Sequence, residues 1–564
     1  MGLDITVKIG GEAGQGIQTV GTLMAQVCHK AGLHVMAIND FESRIRGGHS
    51  FFQIRISDKP VWAPHHRINL LVALDRRTFD LHCDQLVSDG IVLMAKTAGE
   101  EENVLSIPFE TLADKAGGKI TSNTVAAGAS LAILGAPFEI FKSVLSEQFG
   151  KKSDVLKMNL SAAELGYRSV KGVSLNSGFL WDFADPKGRL IDGSRSIALG
   201  ALAADCRIAA FYPMSPATGV MANMNSFSRD FPVVVEQVED EIAAINMIIG
   251  ASFAGVRSMT STSGGGFCLM TEGLGLAGIT ETPIVVVNAQ RPGPATGLPT
   301  RTSQGDLQFV IRAAQDEFPR FVFAPASPAE AYETTARAFR LAEKYQVPAI
   351  ILVDQFFCDS LYTDDGPFPV PETIERFVVG DKDMANAGDY KRYEVTPSGI
   401  SPRALPCKGE ALVVVSGNEH LEDGHISEDK LNRAAMADKR NAKVAGMLGE
   451  MTPPRIFHGN SEILLVGWGS TEGVIQEAVA MLQNEGVDAG SIHFNDLWPF
   501  PAKATLTLLD QGKKFFVVEQ NRTGQLGQLI RQETGLSHAG AILKYDGRPF
   551  YPIEVAEGLK KYLE

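Results

Sequence analysis

The stretch VEQVEDEIAAINMIIGASFAG, residues 235–255, begins with four carboxylates and continues as an almost uninterrupted apolar run. A helix that starts near Asp240 would have one face on which Glu241 is followed by apolar or small side chains at i+4, i+7 and i+11. These side chains are Ile245, Ile248 and Ser252. Asp240 fits the N-cap position of such a helix. The pattern therefore predicts a helix whose first carboxylate, Glu241, points into a buried layer.

The other sides of this helix are apolar as well. Ile242, Met247 and Ile249 cover them, so we expect the helix to be buried all round. Two roles stay open for Glu241. It can stabilise the helix N-terminus through the dipole, by about 0.3–1 kcal/mol. Alternatively, it is a desolvated carboxyl with a raised affinity for its proton, suited to acid/base work or to bonding a protonated ring nitrogen.

Three loops rich in glycine, proline and hydroxyl groups surround this helix in the sequence. They are YPMSPATG (212–219) with Ser215 and Thr218, TSTSGGGFCLM (260–270) with Ser263, Gly264 and Gly265, and NAQRPGPATGLPTRTSQGD (288–306) with Arg291 and Arg301. The first and third follow strand-like runs, and the second overlaps one. In open α/β sheets, ligands bind where strands end at their carboxyl edge. Each loop alone could be an ordinary turn, but three in one region predict a ligand site.

Strand-like and helix-like segments alternate along most of the chain, which predicts an α/β fold with three α/β units. We expect domains at residues 1–180, 190–365 and 459–564. Residues 366–458 are rich in proline and charge and predict an irregular connector with one charged helix.

The N-terminal GGEAGQGIQTVG (10–21) lies between a predicted strand and a predicted helix, where backbone N–H groups can bind an anion. The spacing of its glycines is G-x-x-G-x-G, the reverse of a dinucleotide fingerprint, and no P-loop lysine follows. A phosphate-bearing ligand and a merely tight turn both remain open. The candidate residues of this loop are Gly11, Gly14, Gln15 and Gly16, with Arg46 of the nearby SRIRGGHS.

The formal net charge of −14 over 564 residues disfavours nucleic acid or an anionic membrane as the main partner. The N-terminus has no signal-peptide pattern, and no window reaches about 18 uninterrupted apolar residues. The six cysteines are far apart, without a C-x-x-C pair. This spacing favours a reducing, cytoplasmic location and argues against a metal or iron–sulfur site built by this chain alone.

Taken in order, YPMSPATG, EDEIAA, TSTSGGG and NAQRPGPATGLPT resemble the α subunit of 2-oxoacid:ferredoxin oxidoreductases. GGEAGQG with RIRGGH resembles the γ unit of the same family, fused in front. WGSTEG (468–473), LWPFP (497–501) and VVEQNRTGQLGQLIR (517–531) extend the resemblance over essentially the whole chain. The resemblance implies a γ-type domain, a thiamine-pyrimidine-binding domain and a transketolase C-terminal-like domain.

The family implies thiamine pyrophosphate shared with a separate β subunit, which holds the diphosphate, Mg²⁺ and an iron–sulfur cluster. By resemblance, Glu241 bonds N1′ of the aminopyrimidine and promotes deprotonation of thiazolium C2. The loop at Ser263, Gly264 and Gly265 would contact the same cofactor. Ser215 stands where the family has Thr and would bind the substrate with Thr218. Arg291 would pair with the 2-oxoacid carboxylate, and Arg301 with a distal one. DGSRSIALG (192–200) departs from the usual family opening, so no role is carried over there.

The resemblance predicts a catalytic subunit that converts a 2-oxoacid and coenzyme A to acyl-CoA and CO₂ while reducing ferredoxin, or the reverse. The γ-type glycine turn would help bind coenzyme A, and an (αβ)₂ assembly is expected. 2-Oxoglutarate is favoured because the fused two-subunit plan resembles 2-oxoglutarate synthases. Pyruvate, branched-chain 2-oxoacids and indolepyruvate stay open, as does an inactive scaffolding paralogue. A transketolase-type enzyme is disfavoured because the chain lacks a G-D-G diphosphate motif.

Overall fold

The structure, a computed structural model, describes residues 2–43, 47–95, 103–170, 172–175, 181, 186–380, 390–409, 411–509 and 512–564. The chain divides into two compact units. The N-terminal unit comprises Met1–Asp192, Asp359–Gly366 and Tyr551–Glu554. The main unit comprises Gly193–Cys358, Pro367–Phe550 and Val555–Glu564.

The strands of the described residues follow the predicted apolar runs. They are β1 Asp4–Glu12, β2 His34–Asp40, β3 His49–Ser57, β4 Ile68–Ala73, β5 Leu86–Met94, β6 Val104–Ser106, β7 Arg189–Asp192, β8 Ile208–Phe211, β9 Val234–Gln237, β10 Ser258–Thr262, β11 Val285–Gln290, β12 Phe321–Phe323, β13 Ala349–Asp354, β14 Leu361–Asp364, β15 Arg455–Phe457, β16 Ile463–Trp468, β17 Ala489–Phe494, β18 Asp496–Trp498, β19 Lys514–Glu519 and β20 Gly540–Leu543.

The helices connect these strands in the order of an α/β protein. They are α1 Ile17–Lys30, α2 Arg76–His82, α3 Phe109–Ala116, α4 Ser122–Ile133, α5 Phe138–Phe149, α6 Ser153–Ser169, α7 Gly193–Ala203, α8 Thr218–Phe227, α9 Glu241–Phe253, α10 Gly264–Ile279, α11 Leu307–Ile311, α12 Pro328–Tyr345, α13 Gln355–Asp359, α14 Lys430–Glu450, α15 Glu472–Asn484, α16 Ala502–Leu509, α17 Gln525–Thr534 and α18 Pro552–Leu563.

The N-terminal unit is built on an eight-stranded sheet in the order β6-β5-β4-β1-β3-β2-β14-β7. β1 pairs parallel with β4 and antiparallel with β3, so the sheet is mixed. Val7 and Ile9 of β1 are fully buried in the same apolar cluster as Val20 and Leu23 of α1. The helix α1 follows the glycine turn, as the sequence predicts.

The main unit contains a seven-stranded sheet in the order β18-β12-β13-β11-β10-β8-β9. Its strands are parallel except for β18, which runs antiparallel to β12. β18 comes from the sequence region of the third predicted domain. A five-stranded sheet, β15-β17-β16-β19-β20, lies in the same unit.

The apolar core of the main unit includes residues from both of its sheets, such as Val286, Ile350, Val466 and Val517. Three α/β sheets confirm the predicted fold class, and α14 confirms one charged helix in the connector. The domain boundaries proposed from the sequence stay predictions. Among the described residues, no helix is long and apolar enough to span a bilayer.

Candidate functional site

Glu241 is the first residue of α9, and Asp240 caps this helix by accepting the Ala243 N–H at 2.7 Å. The Glu241 residue is only 2% exposed. Ile245, Ile248 and Ser252 are buried with it, as the periodicity predicts. The carboxylate that leads the apolar run is therefore inside the molecule.

The expectation that α9 is buried all round is wrong. Ile242 is 50% exposed and Met247 is 41% exposed, whereas Ile249 is buried. The reason is that α9 packs along one side, against β8, β10 and α10, and these two side chains remain outside that contact.

The first turn of α10 fixes the space around the Glu241 carboxyl. A Cβ atom on Gly266 would lie 2.5 Å from Glu241 Oε1 and 2.0 Å from Thr262 Oγ1, so only glycine fits there. Gly265 has room, since its Cβ would meet nothing closer than the Ala295 carbonyl at 3.8 Å. The glycine run therefore lets the helix approach the carboxyl closely.

Several buried polar atoms around this turn have no hydrogen-bond partner. They are Glu241 Oε1, the hydroxyl oxygen of Ser263, which occupies the N-cap position of α10, and Asn288 Oδ1 within β11. Leaving such an atom unpaired costs about 1–3 kcal/mol. These unpaired groups could each form a hydrogen bond with a bound ligand.

Asp306 belongs to this site although the sequence reasoning did not single it out. Its Oδ2 accepts from Asn288 Nδ2 at 3.3 Å and would lie 2.3 Å from a Cβ on Gly264. Its backbone N–H donates to Gln290 Oε1 at 2.9 Å. Burial raises the pKa of Asp306 to about 6, partly offset by the Asn288 hydrogen bond. A carboxylate at the end of a Gly/Pro-rich loop was the signal that could have found it.

Arg291 lies near Glu241 in the structure. Burial lowers the pKa of Arg291, and the neighbouring Glu241 carboxylate partly restores it. Its Nη1 donates to the Ser215 carbonyl at 2.6 Å. This bond ties the loop after β11 to the turn after β8. Ser215 is exposed and Thr218, the first residue of α8, is half-buried.

Arg301 lies in a different environment. It is 8% exposed, and its Cβ would lie 3.0 Å from a Cβ placed on Gly547. Its backbone N–H donates to the Leu298 carbonyl at 3.2 Å. The structure therefore joins Glu241, Arg291 and the Ser215 turn. It sets Arg301 beside the third region of the sequence, residues 459–564.

The N-terminal glycine loop belongs to the other unit. Gly14 and Gly16 have φ angles of 96° and 72°, in the left-handed region that favours glycine. Gln15 closes the loop, because its Oε1 accepts the Glu12 N–H at 2.8 Å. A Cβ on Gly11 would lie 2.3 Å from that same Oε1. Arg46 lies outside the described residues.

Three family profiles match successive parts of the chain. "Pyruvate ferredoxin/flavodoxin oxidoreductase" matches residues 6–169, "Pyruvate flavodoxin/ferredoxin oxidoreductase, thiamine diP-bdg" residues 199–439, and "Pyruvate:ferredoxin oxidoreductase core domain II" residues 461–555.

Individual relatives match over the full length. The chain is 31% identical to "2-oxoacid:ferredoxin oxidoreductase 2, subunit alpha" of Aeropyrum pernix, over 100% of this chain and 98% of that protein. It is 26% identical to "2-oxoglutarate oxidoreductase subunit KorA" of Mycobacterium tuberculosis, over 99% and 92%. A solved 2-oxoglutarate:ferredoxin oxidoreductase from Magnetococcus marinus, with 2-oxoglutarate, coenzyme A and succinyl-CoA bound, is 32% identical. That match covers 100% of both chains, with a TM-score of 0.90.

Proposed function

Because the chain belongs to the 2-oxoacid:ferredoxin oxidoreductases, as an α subunit with a fused γ-type domain, we propose that its substrate is 2-oxoglutarate. The reaction joins oxidative decarboxylation to the formation of succinyl-CoA and the reduction of ferredoxin, or runs in reverse. Two relatives whose names state 2-oxoglutarate support this choice. Pyruvate, branched-chain 2-oxoacids and indolepyruvate are the competing substrates.

One observation carries the proposal for the cofactor: Glu241 Oε1 is buried, has no partner and lies against Gly266. These residues fit the aminopyrimidine ring of thiamine pyrophosphate, since Gly265 leaves open space in the same turn and the buried acid needs a donor. When bound, this cofactor supplies an electron sink for decarboxylation. Glu241 would hold a proton between Oε1 and ring nitrogen N1′, and Ser263 would offer its hydroxyl to the same ring.

Arg291 has the chemistry to orient the substrate. Its planar guanidinium suits a carboxylate, and the bond to the Ser215 carbonyl fixes its direction. Ser215 and Thr218 would present hydroxyl groups beside it. Arg301, on the same loop, would serve the distal carboxylate that distinguishes 2-oxoglutarate from pyruvate. A dicarboxylate then has one arginine for each end.

We propose that the other components needed for the reaction are supplied by partner proteins and by coenzyme A. We assign the diphosphate, Mg²⁺ and the iron–sulfur cluster to a β subunit, in an (αβ)₂ assembly in the cytoplasm. Cysteines without a cluster motif support this division. Ferredoxin is the electron acceptor that the names of the relatives state. The glycine loop of the N-terminal unit would contact coenzyme A through Gly14 and Gly16.

The test is to co-express the chain with its β subunit and measure reduction of a low-potential dye with a panel of 2-oxoacids. We expect the highest kcat/KM with 2-oxoglutarate. Glu241→Gln should lower kcat by about 10²-fold or more, because a neutral amide cannot exchange the proton. The matched control is Glu239→Gln, which makes the same change at an exposed glutamate two residues earlier. Equal activity of the two variants, or preference for another 2-oxoacid, contradicts the corresponding part of the proposal.

A further inference from the structure

The loop of residues 291–306 returns to its sheet along a segment that is bonded to the third region of the sequence. Gln304 lies at the centre of this segment and is fully buried. Its Nε2 donates to the Trp468 carbonyl at 2.8 Å, and its Oε1 accepts the Gln520 N–H at 3.0 Å. Both the N–H donor and the oxygen acceptor of the side-chain amide therefore form hydrogen bonds with backbone groups in the region of the five-stranded sheet.

The backbone of Gln304 is held in the same way. Its N–H donates to the Gln520 carbonyl at 2.8 Å, and its carbonyl accepts from Asn521 Nδ2 at 3.0 Å. The next carbonyl, of Gly305, accepts from Gln525 Nε2 at 2.7 Å. All the hydrogen-bonding groups of Gln304 thus contact residues 468 and 520–521.

The surface that Gln304 contacts, formed by Trp468 and residues 520–521, is stabilised by its own hydrogen bonds. Trp468 ends β16 and Glu519 ends β19. The Trp468 indole N–H donates to Glu519 Oε2 at 3.2 Å, and Glu519 also accepts the N–H of Leu526 at 3.0 Å. A buried carboxylate that ties a strand end to the start of α17 makes this surface a rigid support.

The segment that Gln304 anchors also reaches the candidate site. Two residues after Gln304, Asp306 contacts Gly264 and Asn288 in the site beside Glu241. Residues 293–298 are exposed, whereas Arg301 and Thr302 are buried. A shift of residues 301–306 would therefore move Arg301 and Asp306 together.

We propose that the third region of the chain takes part in substrate binding by holding the loop of residues 291–306 in place, with Gln304 as the positioning residue. The inference rests on the proposed function of Arg291 and Arg301. If the bonds between Gln304 and the third region are lost, only a fraction of molecules have the loop in the binding-competent position. The apparent affinity for the 2-oxoacid falls by that fraction.

The first test is Gln304→Leu in the complex with the β subunit. We expect KM for the 2-oxoacid to rise about 10- to 100-fold, with kcat and KM for coenzyme A changed by less than about threefold. Gln308→Leu is the matched control. It removes the bond from Gln308 Nε2 to the Gln525 carbonyl, which joins the same two regions but lies beyond the loop, in α11. An equal rise in KM in both variants would overturn the proposal.

The second test does not depend on the reaction. Trypsin does not cut Arg291–Pro292, because proline follows, but it can cut Arg301–Thr302 once that buried bond is released. We expect Gln304→Leu to be cut there at least about tenfold faster than wild type and Gln308→Leu. Gln304→Glu, which keeps the Oε1 acceptor, serves if the leucine variant fails to fold. Wild-type protection in both Gln304 variants would refute the positioning role, whereas a wild-type complex inactive on all 2-oxoacids would refute only the proposed function.

Discussion

At the residue scale, the position of the Glu241 carboxyl depends on Gly266. Gly266→Ala would place a methyl group 2.0 Å from Thr262 Oγ1 and 2.5 Å from Glu241 Oε1, so the acid must move. We expect kcat to fall by about 10²-fold, as when a general acid/base is lost. Overpacking should also lower the free energy of unfolding by about 1–3 kcal/mol.

Gly275→Ala is the control for this substitution, since it lies in the same helix and its Cβ would meet Ala314 Cβ at an ordinary 3.6 Å. It should keep wild-type kcat and stabilise the chain by up to about 1 kcal/mol. Steady-state kinetics and thermal unfolding of both variants decide the matter. Unchanged kcat in Gly266→Ala would show that the carboxyl does not act from its observed position.

The same residues show how far sequence can predict a site. The burial of Glu241 and the cap by Asp240 follow from local periodicity and are confirmed. Asp306 and Gln304 were missed because their partners, Gly264 and Trp468, are distant in sequence, and no spacing rule encodes such contacts. The exposed side of α9 was also missed, since apolar content alone does not tell which face a helix buries.

At the element scale, buried ion pairs attach α14 to Glu281, the residue that follows the C-cap of α10. Lys439 and Lys443, one turn apart on this helix, donate to the two oxygens of Glu281 at 2.6 and 2.5 Å. All three residues are at most 2% exposed. The pKa of Glu281 is lowered to about 2 because the two lysines and Arg392 outweigh its burial. The connector, which the sequence presents as a charged helix with irregular flanks, is part of the main unit, and α14 is bonded there to Glu281.

Glu281→Gln should therefore lower the free energy of unfolding by about 3–5 kcal/mol, because two buried ammonium groups lose their counter-charge. Adding Lys439→Met and Lys443→Met should restore much of that loss. Glu485→Gln, at a surface ion pair with Lys560, should cost at most about 1 kcal/mol. Urea unfolding of the four proteins measures these differences. A loss in Glu281→Gln no larger than in the surface control would contradict the anchoring role.

At the scale of the whole molecule, a further acid joins the two sheets of the main unit. Asp354 ends β13, is 2% exposed and accepts a hydrogen bond from Ser470, next to β16. Burial raises its pKa to about 6 from 3.8, although the hydrogen bond from Ser470 lowers it in part. A raised carboxyl pKa means that its contribution to stability is complete below pH 3.8 and is lost as the pH rises through about 6.

Between pH 4.5 and pH 7, ionisation of Asp354 should lower the free energy of unfolding by about 2 kcal/mol. Asp354→Asn should remove this component, so the difference between variant and wild type should shift by that amount in favour of the variant. The control is Asp488→Asn at an exposed aspartate. Urea unfolding at both pH values measures the shift, and a difference independent of pH would contradict the assignment.

The α/β class and most strands could be predicted because β-branched apolar runs are local signals. The sequence could not predict that a strand from one region of the chain joins a sheet formed mainly by another region. β18 has three residues and adds to the seven-stranded sheet by pairing with β12, and β14 joins the sheet of the N-terminal unit. The sheet that such a short strand joins is determined by contacts with residues distant in sequence, so the sequence of the strand itself does not indicate it.

The crowding at Gly266 offers a practical marker for genome surveys. A homologous chain with alanine or a larger residue at this position should have lost decarboxylation activity, even if all its other motifs are intact. Comparing paralogues at this one position would separate active enzymes from inactive relatives before any protein is purified.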